Sequence, residues 1–260
     1  MSLRPIRETA LMKDYFVAAH RGSSGTAPEN TLAAYREAVA AGADIVEADV
    51  QLTADGHVVA FHDKHLSRTS DSAGKIDELN YEHLKDADAG SWFDPDFKNE
   101  RIPLLHDVID VIRDKTYLNI EVKNIVGGNL DDNIKRIIDI IYEEEYQDYT
   151  VLSSFYYDTL HLIKKHFPVF PLLAIRIPRD TRLPSQILNE TGCDAFICAK
   201  DELNKEVVED IIKNNIYTAV YSIDTKQDFD EVIKLPVKAL VTNFPARIIQ
   251  FLDEYRGERQ

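Results

Sequence analysis

Short runs of apolar, β-branched residues alternate with amphipathic stretches along most of this 260-residue chain. The runs have the length of buried strands, and the amphipathic stretches repeat their apolar residues at the spacing of a helix. The predicted strands are Phe16–Ala19, Asp44–Gln51, Val58–His62, Tyr117–Lys123, Thr150–Phe155, Leu172–Ile177, Asp194–Ala199, Tyr217–Ile223 and Ala239–Thr242. The predicted helices are Glu29–Ala41, Leu130–Glu145, Tyr157–His166, Pro184–Thr191, Lys205–Asn214, Lys226–Leu235 and Pro245–Tyr255.

This alternation predicts a single barrel domain over residues 1–260. The turn signal Ala54-Asp55-Gly56-His57 precedes Val58–His62, which we count as an extension of the second strand. Eight strand–helix units then remain, and that number indicates an α/β fold, a (β/α)8 TIM barrel, rather than an open sheet. Residues 64–116 are too long and too polar for a simple connection, so we expect a small insertion that caps the barrel mouth. Its short helical pieces are predicted around Ile76–Leu84 and His106–Arg113.

The composition narrows the class of partner. The chain has 30 Lys and Arg against 45 Asp and Glu, a formal net charge of −15, so we expect no nucleic acid partner. The only two cysteines, Cys193 and Cys198, favour a reducing compartment. No apolar run approaches the roughly 20 residues of a membrane span. Because Met1–Asp14 also lacks a signal-peptide core, we expect a cytoplasmic protein without stable membrane insertion, and the oligomeric state stays open.

Charged residues interrupt two of the apolar strands, where an ordinary core would have Val or Leu. Glu47 and Asp49 are two apart and so share a face of their strand, as do Glu121 and Lys123. If those faces line the barrel axis, three carboxylates meet at one mouth, where they cannot all stay ionised without compensation. A divalent cation, Mg²⁺ or Ca²⁺, is the usual compensation for hard oxygen ligands. The alternative is a structural layer of salt bridges with Lys123 and Arg21.

Two histidines follow neighbouring strands and are candidates for proton transfer. His20 ends the first strand and His62 ends the extension of the second, both beside the predicted carboxylates. Strand alternation predicts that Asp63 points away from His62. His106, in the insertion, is a weaker candidate for the same site.

The ordered motifs resemble those of the glycerophosphodiester phosphodiesterase family, from about Val17 to Pro245. The motifs that carry the resemblance are His20-Arg21-Gly22, Pro28-Glu29-Asn30-Thr31, Glu47-Ala48-Asp49, Asp55-Gly56, His62-Asp63, Gly90-Ser91-Trp92-Phe93, Ile102-Pro103-Leu104 and Glu121-Val122-Lys123. The resemblance implies a TIM barrel and metal-dependent hydrolysis of a small-molecule glycerophosphodiester to glycerol 3-phosphate and an alcohol.

The resemblance also implies roles for single residues. The metal ligands correspond to Glu47, Asp49 and Glu121. The acid and base correspond to His20 and His62, in an order that stays open, and the phosphate-binding cations to Arg21 and Lys123. Asn30 is expected to order the loop that carries His20 and Arg21. The attacking group is either water or the neighbouring glycerol hydroxyl.

Two late positions depart from the family pattern. Tyr221 stands where a Trp is usual, and Asn243 stands where an Asp is usual. Both are expected to affect the glycerol or alcohol end of the pocket. Two alternatives remain: a lysophospholipase D-like enzyme for larger lipid esters, with Trp92, Phe93 and Phe97 as a lipid-binding lip, and an inactive binding module.

Overall fold

Eight parallel strands close into a barrel in the computed structural model, which describes residues 3–123 and 130–257. The strands are β1 (Phe16–Ala19), β2 (Ile45–Leu52), β3 (Val58–Ala60), β4 (Tyr117–Val122), β5 (Thr150–Ser154), β6 (Leu172–Ile175), β7 (Ala195–Ala199), β8 (Thr218–Tyr221) and β9 (Ala239–Thr242). All except β3 run parallel, and the sheet closes because β1 pairs with both β2 and β9. The predicted (β/α)8 TIM barrel is confirmed.

Helices surround the barrel at positions close to those predicted. They are α1 (Ile6–Met12), α2 (Leu32–Ala41), α3 (Leu105–Ile112), α4 (Leu130–Glu143), α5 (Tyr157–His166), α6 (Pro184–Thr191), α7 (Lys205–Asn214), α8 (Lys226–Val232) and α9 (Pro245–Gly257). The helix predicted from Glu29 begins three residues later. Asn30 has a left-handed φ of 57°, and Thr31 caps α2 by accepting a hydrogen bond from the Ala34 backbone N–H.

The inside of the barrel is apolar at the amino ends of the strands. Phe16, Tyr117 and Ile197 belong to the cluster that fills this end. The helix α1, which the sequence pattern left unpredicted, covers it: Ile6 packs into the cluster, and Thr9 Oγ1 lies 2.6 Å from the Tyr117 hydroxyl. The polar residues of the same strands therefore collect at the carboxyl ends.

The sequence pattern predicts that β3 extends β2. Instead, the chain reverses and β3 runs antiparallel beside β2. The two strands form an antiparallel hairpin around Gly56, whose φ is 82°. Phe61 N–H donates to the Asp49 carbonyl at 2.9 Å, and the Gln51 side chain donates to the carbonyls of Phe61, His62 and Asp63. The reversal therefore returns His62 to the barrel mouth at the level of Asp49.

The segment after β3 has a small core of its own. Phe61, Leu66, Ile76 and Ile102 are buried in it. The two predicted helical pieces differ in kind: the first is a pair of short 3₁₀ turns, whereas the second is α3, which packs against α2 and β4 as a barrel helix. The single-domain organisation stays a prediction.

The described residues contain no helix that is both long and apolar enough to cross a bilayer. Both cysteines are buried free thiols, and burial raises the pKa of Cys198 to about 12.

Gly22 fixes the loop that follows β1 against α2. Its φ is 79°, and an added Cβ would lie 2.6 Å from the Ala34 carbonyl carbon. Gly42 is a matched control, because its φ is 81° but a Cβ there would meet nothing within 4 Å. We expect Gly42→Ala to lower the free energy of unfolding by about 1–2 kcal/mol, and Gly22→Ala by about 1–3 kcal/mol more. Denaturant unfolding measures both losses, and equal losses would show that close packing at Gly22 is unimportant.

Candidate active site

Three acidic side chains from two neighbouring strands point into the barrel mouth. Glu47 and Asp49 lie two residues apart on β2, and Glu121 lies on β4 in register with Asp49. Alternate residues of a strand share a face, so all three lie on the inside, above the apolar layer. They are only 4 %, 0 % and 7 % exposed, respectively, so water screens them poorly.

This carboxylate cluster (Glu47, Asp49 and Glu121) fits a divalent cation. One oxygen from each residue lies within 4.8 Å of the others, which is no more than two Ca–O bonds of about 2.4 Å. Glu47 Oε2 accepts a hydrogen bond from the Arg21 backbone N–H at 2.7 Å. Glu47 Oε1 is buried and has no hydrogen-bond partner among the described residues, an arrangement that costs free energy unless a ligand compensates.

The ionisation of the cluster is uneven. Burial raises the pKa of Glu47 well above its usual range, and repulsion from Asp49 and Glu121 adds to the shift. Burial and repulsion from Asp49 also raise the pKa of Glu121. Burial opposes the charge of Asp49 too, but attraction by Lys123 and Arg21 outweighs it and lowers the pKa of Asp49. The protein's own cations therefore stabilise one carboxylate, and the other two would gain from an added cation.

The two predicted phosphate-binding cations lie against the carboxylate cluster. Lys123 Nζ is 2.8 Å from Asp49 Oδ1 and also contacts Glu121. Arg21 Nε is 3.1 Å from Asp49 Oδ2, and Arg21 Nη1 donates to Glu29 at 2.8 Å. Both cations are in the mouth as predicted, and a bound anion would compete with these carboxylates for them.

His20 and His62 both interact with the charge of Asp49, and each has its Nδ1 held by a different partner. His20 Nδ1 is 2.8 Å from Asn243 Oδ1, whereas His62 Nδ1 is 2.6 Å from Asp63 Oδ1. Burial and the charge of Arg21 lower the pKa of His20. Burial also lowers the pKa of His62, together with the charges of Lys123 and Arg21, although Asp49 opposes that shift.

The prediction that Asp63 points away from His62 is wrong. The strand β3 ends at Ala60, so strand alternation does not reach residues 62 and 63. The Asp63 carboxylate contacts Nδ1 of the His62 ring. It also accepts hydrogen bonds from Arg68 Nε and Nη2 at 2.6 and 3.0 Å. These contacts lower the pKa of Asp63 to about 2, with the Arg68 hydrogen bonds as the main cause.

Arg68 joins the insertion to the site. Besides Asp63, it donates to both oxygens of Glu29 at 2.9 and 2.6 Å, and Glu29 in turn accepts from Arg21. The sequence pattern gave no sign of this link, because it joins segments that are distant along the chain.

Asn30 positions a predicted metal ligand as well as the loop. Its Nδ2 donates to Asp49 Oδ2 at 2.8 Å, while its Oδ1 accepts from the Tyr35 hydroxyl and the Asp49 backbone N–H. His106, the weaker candidate, lies elsewhere: its Nδ1 is 2.6 Å from Glu144, directly after α4. The helical position of His106 on α3 explains this, because its side chain turns toward the neighbouring helix.

A groove of about 1100 Å³ includes Glu121 of the cluster in its lining. His62, Glu121 and Lys123 belong to its lining, and another part of the lining is an apolar wall. That wall consists of Phe155, Tyr156, Ile177 and Pro178. The aromatic residues of the insertion, Trp92, Phe93 and Phe97, do not line this groove but pack edge to face on one another.

The two departures from the family pattern lie in different surroundings. Tyr221 is half-buried at the end of β8, and burial raises its pKa to about 12, so its hydroxyl keeps its proton at neutral pH. Asn243 contacts His20. An effect of either residue on substrate specificity stays a prediction.

Comparison with known proteins identifies the family. A model described as the glycerophosphoryl diester phosphodiesterase family matches residues 20–247. The chain belongs to this family. It is 35 % identical over 240 residues to a glycerophosphodiester phosphodiesterase of Caldanaerobacter subterraneus subsp. tengcongensis, covering 91 % of this chain and 97 % of that protein. The prediction of an enzyme, a glycerophosphodiester phosphodiesterase, is confirmed.

Solved structures agree with this family. A phosphodiesterase of Oleispira antarctica, solved with the product sn-glycerol-3-phosphate, has a TM-score of 0.87 and 30 % identity, covering 94 % of this chain and 99 % of that one. A glycerophosphodiester phosphodiesterase of Agrobacterium tumefaciens has a TM-score of 0.78 at 23 % identity, covering 89 % and 97 % of the two chains, and supports the fold alone.

The partnerless oxygen of Glu47 makes metal binding testable without an activity assay. We expect isothermal titration of the wild-type protein with Mg²⁺ or Ca²⁺ to show one site, and Glu47→Gln to weaken binding at least about 10-fold. Glu206→Gln, on the exposed surface of α7, is the matched control and should bind as the wild type does. Equal binding by Glu47→Gln and the control would remove Glu47 from the metal site.

Proposed function

We propose that the protein hydrolyses small glycerophosphodiesters to glycerol 3-phosphate and an alcohol, with one divalent cation, Mg²⁺ or Ca²⁺. The observation that carries the proposal is the buried carboxylate cluster in the barrel mouth, with His20 and His62 both near enough to interact with the charge of Asp49. The Oleispira antarctica enzyme, with its bound sn-glycerol-3-phosphate, supports the choice of substrate class. Glu47, Asp49 and Glu121 would hold the cation.

The residues of the mouth divide the work of phosphodiester cleavage. When bound, the cation supplies stabilisation of negative charge on the phosphoryl oxygens. Arg21 and Lys123 bind the phosphate and stabilise the same charge in the transition state. His20 and His62 each present Nε2, since Nδ1 is occupied. One takes the proton of the attacking group, either water or the neighbouring glycerol hydroxyl, and the other gives a proton to the leaving alcohol.

We further propose that the enzyme acts in the cytoplasm and needs no nucleic acid partner. The two free thiols support a reducing compartment, and the net charge of −15 disfavours attraction to polyanions. A second candidate, action on lysophospholipids, is favoured by the size and apolar wall of the groove. It would use that wall rather than the insertion aromatics.

One assay tests the reaction and separates the two substrates. Purified protein is given glycerophosphocholine, glycerophosphoethanolamine or lysophosphatidylcholine, with Mg²⁺, with Ca²⁺ or with chelator. We expect glycerol 3-phosphate from the first two substrates and no release in chelator. Release of lysophosphatidic acid from lysophosphatidylcholine alone would favour the second candidate, and full turnover of metal-free protein would contradict the role of the cation.

The histidine pair is tested in the same assay. We expect His20→Ala and His62→Ala each to lower kcat at least about 10²-fold, because each removes a proton-transfer group. His161→Ala, on the outer face of α5, is the control and should keep wild-type kcat. A wild-type kcat for His62→Ala would refute the acid–base role of His62. A loss of thermal stability in His62→Ala that accounts for the loss of activity would indicate a structural role instead.

Substitution of Lys123 distinguishes a role in substrate binding from a role in charge pairing alone. We expect Lys123→Met to raise KM and lower kcat together, because the ammonium group contacts the phosphoryl group in both the ground state and the transition state. Lys123→Arg should restore activity only in part, since a planar guanidinium cannot replace a compact ammonium group. If Lys123 only pairs with Asp49 and Glu121, saturating metal should instead restore the rate of Lys123→Met.

A further inference from the structure

The Asn243 amide holds the His20 ring, and its two ends differ chemically. His20 Nδ1 and Ser24 Oγ each lie 2.8 Å from Asn243 Oδ1. The backbone fixes this approach, because the His20 N–H donates to the Thr242 carbonyl at 2.8 Å. A carbonyl oxygen only accepts hydrogen bonds, whereas an NH₂ group only donates them. The end of the amide that faces His20 therefore decides which ring nitrogen carries the hydrogen.

The orientation of the amide is set by Asp224, on the far side of Asn243. Asp224 Oδ2 accepts from Asn243 Nδ2 at 2.6 Å, and Asp224 Oδ1 accepts from the Asn243 backbone N–H at 2.8 Å. An ionised carboxylate can only accept, so the amide must turn its NH₂ group to Asp224 and its oxygen to His20. Ser24 does not decide the orientation, since a hydroxyl can donate or accept.

We propose that Asp224 and Asn243 are positioning residues that fix neutral His20 in the tautomer with its hydrogen on Nδ1. Because Asn243 Oδ1 can only accept, Nδ1 must donate to it. The lone pair of the ring then lies on Nε2, the atom through which His20 can take a proton. This catalytic consequence rests on the proposed function, whereas the tautomer does not.

The variant Asp224→Asn should reverse the tautomer while leaving the His20 side chain unchanged. The backbone N–H of Asn243 cannot turn, so the new amide must give it an oxygen and turn its NH₂ group to the Asn243 side chain. The Asn243 amide then reverses and presents NH₂ to His20, so the hydrogen moves to Nε2. Ser24 tolerates the change, because it can accept from this NH₂ group while it donates to the His20 carbonyl at 2.7 Å.

The first measurement is the tautomer itself, by ¹⁵N NMR of histidine-labelled protein at pH 8. The chain has eight histidines, and the loss of signals in His20→Gln assigns those of His20. We expect hydrogen on Nδ1 in the wild type and on Nε2 in Asp224→Asn. Hydrogen on Nε2, or on both nitrogens, in the wild type would overturn the proposal. An unchanged tautomer in a folded Asp224→Asn protein would overturn the role of Asp224.

The second measurement is turnover. We expect Asp224→Asn to lower kcat roughly 10²–10⁴-fold with little change in KM, as a base in the wrong tautomer does. Asp210→Asn on α7 is the matched control: it also removes a carboxylate that accepts a backbone N–H and a side-chain hydrogen bond, here from the Ser185 backbone N–H and hydroxyl at 2.8 Å, and should change neither tautomer nor kcat. A reversed tautomer with unchanged kcat would support the positioning pair and overturn the assignment of His20 to catalysis. If Asp224→Asn does not fold, the wild-type ¹⁵N spectrum still tests the proposal, because hydrogen on Nε2 of His20 would overturn it.

Discussion

Repulsion among three buried carboxylates is the constraint on which the barrel mouth depends. Asp49 is the best compensated of the three, with Lys123, Arg21 and the Asn30 amide all on its oxygens. Glu47 receives one backbone N–H on one oxygen and nothing from the described residues on the other. The protein thus compensates the charge at the centre of the cluster and leaves Glu47 Oε1 without a hydrogen-bond partner among the described residues. A hard cation would compensate all three carboxylates at once, whereas a proton would neutralise only one of them.

The barrel alone does not complete the site. Parallel strands bring Glu47, Asp49 and Glu121 together, but His62 arrives only because β3 reverses the chain beside β2. The insertion that follows β3 then contacts this part of the site through Arg68. Arg68 contacts the carboxylates behind both His62 and Arg21, so the insertion supports a histidine and a cation from outside. Through Arg68, the insertion contributes ion pairs with Glu29 and Asp63 to the site.

Local pattern was enough for the regular parts of the fold. The bounds of β1 and β9 and of α5, α6 and α7 agree with those predicted, because each has a strong apolar period between clear end signals. The candidate metal ligands and the two candidate histidines could be proposed because charged residues at the ends of apolar strands have few structural explanations. The direction of β3, the partner of Asp63 and the place of His106 depend on contacts between distant segments, and no local pattern carries that information.

The two histidines both lie in the barrel mouth, but their Nδ1 atoms have chemically different partners. This difference makes the two rings unequal as proton carriers. Asp63 brings a negative charge to the Nδ1 of His62, which favours the positively charged ring. Asn243 brings only a neutral carbonyl to the Nδ1 of His20. Of the two Nδ1 partners, only the one at His62 carries a charge that stabilises a protonated ring. A reaction that needs one proton donor and one proton acceptor meets an asymmetric pair, and the asymmetry comes from residues behind the rings rather than from the rings themselves.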